Sequence, residues 1–179
     1  MLLKTGDESA VSIRAIADTV GVTPPSIYMH FPDKEALILA VCTDHFAKLS
    51  EASDRAVVGI DDPMARIEAR GRAYITFGLE NPEPYRVMFM TRWATGMRMS
   101  DEQLADTAAF DHLVADVNAA IAAGQMGGSD SFAIACGLWA LVHGITSLII
   151  AKPDFPWPPL EEFIAGAMSC MALPPPSTP

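Results

Sequence analysis

The sequence predicts an all-α protein in two helical parts, a small front domain over residues 1–58 and a larger one over residues 59–173. Three observations carry that reading. Apolar residues recur at helical spacing through most of the chain, and no segment alternates as a half-buried strand would. Proline and glycine, with Ser, Thr, Asp or Asn beside them, stand where helices start and stop. Half of the 179 residues are hydrophobic and only 19% are charged, enough apolar material for a packed core.

The elements follow in order. In "SIRAIADTV", Ser12 is placed to cap a helix whose Ile13, Ile16, Ala17 and Val20 form one apolar stripe. Gly21 ends it where a left-handed residue is wanted. Thr23 can cap a second, short helix with Pro24 at its first position, where a missing N–H costs nothing. Pro32 stops that helix, and Asp33 caps a third from Lys34 to about Val58. After "GIDDP" comes a helix from Pro63 to Leu79, then one over "PEPYRVMFMTRW" with Asn81 as its cap. Ser100 starts a long helix that ends at Gly124. "GGS" leads into a helix from Phe132 to Ala151, and Leu160 to Leu173 form the last one. Residues 174–179, "PPPSTP", read as a disordered tail.

Composition bounds the function. The net charge is −10, with four Lys/Arg against six Asp/Glu in residues 1–48, so the front is less acidic than the rest but not basic. That balance alone speaks against a nucleic-acid partner, which ordinarily needs a basic patch. Cys42, Cys136 and Cys170 are odd in number and share no metal-ligand spacing, as expected of reduced thiols in a cytoplasmic protein. The first ten residues lack the apolar stretch of a secretory leader. No G-x-S-x-G or H-E-x-x-H arrangement is present, and we expect neither an enzyme nor a cofactor. His112 and Asp116, four apart on one helix, could hold one edge of a metal site, but two ligands are too few to close one.

The short second helix has a pattern of its own. At roughly 100° per residue, Ile27 and Phe31 share the face that meets the first helix. Pro25, Ser26 and Met29 point the opposite way, and Tyr28 and His30 fall on the flanks. A helix with a core-facing ridge, a nearly uncharged outer ridge and hydrogen-bonding flanks suits insertion into a DNA groove. With the first helix and the turn Gly21-Val22-Thr23 it makes a helix-turn-helix.

The stretch "SIRAIADTVGVTPPSIYMHFPDKEALILAV" strongly resembles the DNA-binding region of the TetR family of bacterial transcriptional regulators, with "IA", "GV", "IYMHF" and "DKEAL" in order. The resemblance implies that Thr23, Pro24, Pro25, Ser26, Tyr28, Met29 and His30 belong to the recognition helix, and that Lys34 meets a phosphate. Family members carry a full helix ahead of this stretch. Only "MLLKTGDESA" stands there, so that first helix is expected to be largely missing, and the true start to lie upstream or the chain to be a trimmed DNA binder.

In the back domain, "WALVHG" resembles the Trp-His-Gly signature of one class of TetR C-terminal domains. Ala133, Gly137, Ala140, Gly144 and Ser147 form a small-residue seam that suits close helix packing, and with Phe163 and Met168 of the last helix they are expected at a homodimer interface. Phe132 to Ala151 contains no Asp, Glu, Lys or Arg and is long enough to span a membrane, but a helix-turn-helix needs DNA in the cytoplasm, and the core reading is preferred. Large residues on three helices, Tyr74, Phe77, Met88, Phe89, Trp93, Met97 and Phe110, with Trp139 and His143, are expected to line a pocket for a small apolar or amphipathic effector. A Met and aromatic stripe is also what plain core looks like. The function expected is a repressor that binds palindromic operator DNA as a homodimer and is released by its ligand; the alternative is a dimeric ligand-binding module that no longer binds DNA.

Overall fold

A computed structural model describes residues 12–90 and 108–170, and every element among them is a helix. In chain order these are α1 (Ile13–Val20), α2 (Pro24–Tyr28), α3 (Lys34–Ala56), α4 (Pro63–Glu80), α5 (Pro82–Met90), α6 (Ala108–Ala122), α7 (Ser131–Ala151) and α8 (Leu160–Cys170). They fall into two compact units. The first takes in α1, α2, α3 as far as Lys48, and α5; the second takes the end of α3 with α4, α6, α7 and α8. Trp93, Met97, the Ser100 cap and residues 171–179 lie outside the described residues, as do residues 1–11.

In the first unit, local chemistry sets each boundary. Ser12 caps α1, its Oγ accepting from the Ala15 N–H at 3.1 Å. Gly21 adopts φ +75°, and its N–H and that of Val22 both return to the Ala17 carbonyl, which turns the chain sharply. Thr23 has the extended backbone of a cap, but its hydroxyl does not cap. The second helical position is Pro25, which has no N–H to offer, and Ser26 N already donates to the Thr23 carbonyl at 2.9 Å. The Thr23 hydroxyl instead pairs with Ser26 Oγ at 2.9 Å. Asp33 does cap α3, accepting from Ala36 N at 2.7 Å.

Ile13, Ala17 and Ile27 form a small core, with Ile16, Phe31 and Leu37 packed around it. Val20, expected on that inner stripe, is 63% exposed. It is the last residue of a two-turn helix, and α2 leaves the turn over Ala17, one turn earlier. Further along, Phe89 of α5 meets Phe46 of α3 edge-on at 5.3 Å.

In the second unit α4, α6 and α7 pack on one another pairwise. Ile67, Val117, Ala120, Ala135 and Leu138 make one cluster; Ile75, Val142, Ile145 and Ile164 make the next, which brings in α8. Gly71 allows the close approach of α4 to α7, since a Cβ there would sit 3.3 Å from Val142 Cγ1. The α7–α8 loop is fixed by Trp157, which donates to the Lys152 carbonyl at 2.9 Å and stacks on Phe163. By length and composition α7 could cross a membrane, yet its Ala135, Leu138, Val142, Ile145 and Ile150 are buried in the unit.

The Ser12 cap yields a direct expectation. Ser12→Ala should lower stability to urea by about 1 kcal/mol, and Ser12→Gly by only a few tenths, because glycine tolerates the cap backbone.

Candidate functional site

Two regions gather the residues that could act on other molecules. The first is the outer surface of α2. Ile27 is sunk against Ala17 and Ile13, which leaves the opposite side of so short a helix no choice but water. Pro25, Ser26, Tyr28, Met29 and His30 are all exposed and Pro24 is half-buried; Met29 reaches 82% exposure. The helix ends with Met29 N donating to the Pro25 carbonyl at 3.1 Å and Phe31 N to the Ile27 carbonyl at 2.9 Å, before Pro32 stops it. The wheel reading of an inner and an outer ridge agrees with this burial pattern. Lys34 is half-buried in the first turn of α3.

The second region lies on α4, α6 and α7. Trp139 Nε1 donates to the Tyr74 hydroxyl at 3.3 Å, and that hydroxyl lies 3.2 Å from His143 Nδ1. With the indole N–H spent on the phenol oxygen, the phenol proton is available to the imidazole. Phe110 sits edge-on to both Phe132 and Trp139. The outcome is an aromatic wall with one short hydrogen-bonded relay in it. Burial holds His143 below the ordinary imidazole value of 6.5, so it is neutral at pH 7. Phe77 is buried in α4. Met88 and Phe89 belong to the first unit, where Met88 is buried and Phe89 packs on Phe46 and Tyr85.

The small-residue seam runs along α7 with Ala133 and Ala140 exposed and Gly137, Gly144 and Ser147 half-buried. Phe163 and Met168 are half-buried and pack into the chain's own clusters.

One cluster was not legible beforehand. Asp116 of α6 has only 8% of its side chain exposed and accepts from Arg66 Nε at 2.6 Å and Arg70 Nε at 2.7 Å. Arg70 also donates to Ser53 Oγ at 3.0 Å and to Asp54 Oδ1 at 2.9 Å, and His112 Nδ1 meets the same Asp54 oxygen at 2.8 Å. Burial pushes the Asp54 carboxyl up, but Arg70 and His112 outweigh it and leave it below its ordinary value of 3.8. His112 and Asp116 are therefore engaged with other residues, His112 with Asp54 and Asp116 with the two arginines. The available signals were two i,i+4 pairs, Arg66/Arg70 and His112/Asp116; nothing in their spacing says that they face each other.

Comparison with known proteins decides what these features belong to. The family model described as "Bacterial regulatory proteins, tetR family" matches residues 1–41, and the model for a tetracyclin repressor-like C-terminal domain matches residues 67–168. The chain belongs to the TetR family of transcriptional regulators. The N-terminal match takes in α1, α2 and the start of α3, and the C-terminal match contains Trp139, His143 and Gly144, in keeping with the Trp-His-Gly class. The HTH-type transcriptional activator FasR of Mycolicibacterium smegmatis is 29% identical over 108 residues, 60% of this chain and 49% of its own length. The chain thus spans about half the length of that curated relative. A Rhodococcus sp. RHA1 protein of unknown function superposes with a TM-score of 0.77 at 29% identity, over 94% of this chain and 87% of the other. AibR, solved with isovaleryl coenzyme A and operator DNA, shares the fold at a TM-score of 0.75 and 22% identity, over 97% and 92% of the two chains.

Two measurements test the geometry. Asp116→Ala strands two guanidinium groups in a poorly solvated place and should cost about 3 kcal/mol in urea unfolding, with the denaturant slope unchanged. His143 binds its proton less readily folded than unfolded. Its contribution should therefore be constant above about pH 6.5 and turn destabilising as the pH falls below that value. His143→Gln should remove that part of the acid-side loss in melts run from pH 7.5 to 5.

Proposed function

We propose that this TetR-family regulator acts in the cytoplasm as a homodimeric repressor, reading palindromic operator DNA with the outer ridge of α2 and releasing it when a small apolar or amphipathic ligand occupies the back domain. The observation that carries the reading is the anchoring of α2. With Ile27 held in the core, Thr23, Pro25, Ser26 and Met29 stand out as a nearly uncharged ridge, flanked by Tyr28 and His30 at the reach of the phosphates. Lys34, at the first turn of a 23-residue helix, adds a cation where the helix end already favours phosphate.

A dimer through α7 and α8 is supported by surface that no contact among the described residues covers. Ala140 and Ala165 are exposed, and a Cβ built on Gly144 or Gly166 meets nothing within 4 Å. Two-fold symmetry through that face would present two copies of α2 to half-sites about one DNA turn apart. For the ligand, the wall of Tyr74, Phe110, Trp139 and His143 suits an apolar body with one polar group. The isovaleryl coenzyme A in the AibR structure is amphipathic, its short acyl chain supplying an apolar part for such a wall. Release requires the ligand to prefer the non-binding state; a tenfold loss of DNA affinity needs about 1.4 kcal/mol of differential binding.

A dimeric ligand-binding module without DNA affinity is the second reading, favoured by the net charge of −10. Fluorescence anisotropy on the palindromic segment nearest the gene separates the two. For the regulator, binding weakens steeply between low and moderate salt, and Lys34→Ala lowers affinity on all duplexes while reducing the salt slope by about one. Absence of binding to any duplex at low salt would leave the module.

A further inference from the structure

We infer that the protein specifies its half-site through the 5-methyl groups of thymine, met in the major groove by Met29 and Pro25; this rests on the DNA-binding reading above. Each base is ordinarily read by a side chain of matching chemistry: Arg or Lys for guanine, Asn or Gln for adenine, Asp or Glu for cytosine. From Ser12 to Asp33 there is no Lys, Asn, Gln or Glu. Arg14 and Asp18 lie on α1, and Asp33 is occupied as the cap of α3. The outer ridge of α2 therefore holds no side chain able to make a bidentate contact with any base.

Its only hydrogen-bonding groups are the hydroxyls of Thr23 and Ser26, and these are bonded to each other at 2.9 Å. A hydroxyl donates or accepts as needed and discriminates weakly among bases. What remains is apolar. Met29 is 82% exposed, and Pro25, one turn before it, is exposed on the same face. The Met29 N–H bonded to the Pro25 carbonyl keeps the two in register. Burial of Ile27 prevents the helix from rolling to hide them. The one apolar group that the major-groove edges of the four base pairs display is the thymine methyl. A methionine, flexible and polarisable, can settle over it without demanding one geometry.

The test begins by selecting an operator from a random duplex pool with the whole chain. Each thymine of the selected site is then replaced by deoxyuridine, which removes the methyl and nothing else. At the contacted position, replacement in one half-site should weaken binding about three- to fourfold, and in both half-sites about tenfold. At the position that Met29 meets, Met29→Ala should bind the thymine and uracil duplexes with equal affinity, while a position met by Pro25 keeps its preference; the Met29 side chain is in water, so folding is unaffected, and circular dichroism checks it. Tyr28→Phe, altering a flank, should weaken both duplexes alike. If an operator is selected and bound but uracil at every position leaves affinity unchanged, thymine-methyl readout is wrong and DNA binding stands. If no duplex is enriched at all, the DNA-binding reading itself falls and takes this inference with it.

Discussion

A carboxylate removed from water has to be met on both oxygens, and Asp116 meets this requirement with two arginines that stand one turn apart on α4. Each guanidinium uses its single Nε–H, so α4 cannot slide a turn along α6 without losing both bonds at once. That register decides much of the second unit. Ile67 and Ile75 face inward into the two clusters, Gly71 falls where α7 comes close, and Tyr74 arrives opposite Trp139 and His143. Nη1 of Arg70 donates to Ser53 and Asp54, so the end of α3 is held by the same charge cluster. An apolar core is indifferent to small slips; a paired buried charge is not, and here the polar centre sets where the aromatic wall stands.

The first unit works on the opposite principle. The cluster that holds α2 is three small-to-medium side chains, Ile13, Ala17 and Ile27, each worth about 3 kcal/mol or less on burial. A five-residue helix cannot stand alone in water, because the nucleation cost is not recovered over so few bonds. α2 is held instead by Ile27 from one side and by punctuation at both ends: the Gly21 turn and prolines at its start, Pro32 after its end. Cys42, buried in α3, has its thiol raised to about 11 and stays protonated, behaving as one more apolar filler. Rigid ends around a short helix are what let a face without charges be offered to a partner in a defined orientation.

How much of this the sequence disclosed follows from the range of the forces involved. The inner and outer ridges of α2, the Ser12 and Asp33 caps and the left-handed Gly21 are all decided within four residues, and each was legible. Thr23 stands at the cap position as read, and only its hydroxyl bond to the backbone is missing, since Pro25 has no N–H and Ser26 N donates to the Thr23 carbonyl. Val20 was misjudged because the stripe on α1 was extended past the point where α2 crosses. The cluster of Arg66, Arg70, Asp116, Asp54 and His112 joins residues up to 58 positions apart, and no periodicity encodes such a meeting. The Tyr74–His143 contact spans 69 positions and was equally hidden, although both residues had been singled out for their chemistry.

The net charge of −10 sits badly with a DNA partner only if the protein is treated as a point. At physiological ionic strength charges are screened beyond about 8 Å, so a duplex in contact with α2 responds to what surrounds α2 and little else. Most of the acidic excess lies beyond residue 48, with sixteen Asp/Glu against eight Lys/Arg there. Near the ridge, the charged groups at hand are Arg14 and Lys34 against Asp18, Asp33 and Glu35, two against three and far from the imbalance of the whole chain. Two consequences follow for the proposed regulator. Long-range steering toward DNA is weak, so association is slower than for a basic repressor. Part of the affinity must then come from close fit, and a ridge that is apolar and rigidly mounted is suited to supplying that part, while phosphate contacts at the flanks and at Lys34 carry the dependence on salt.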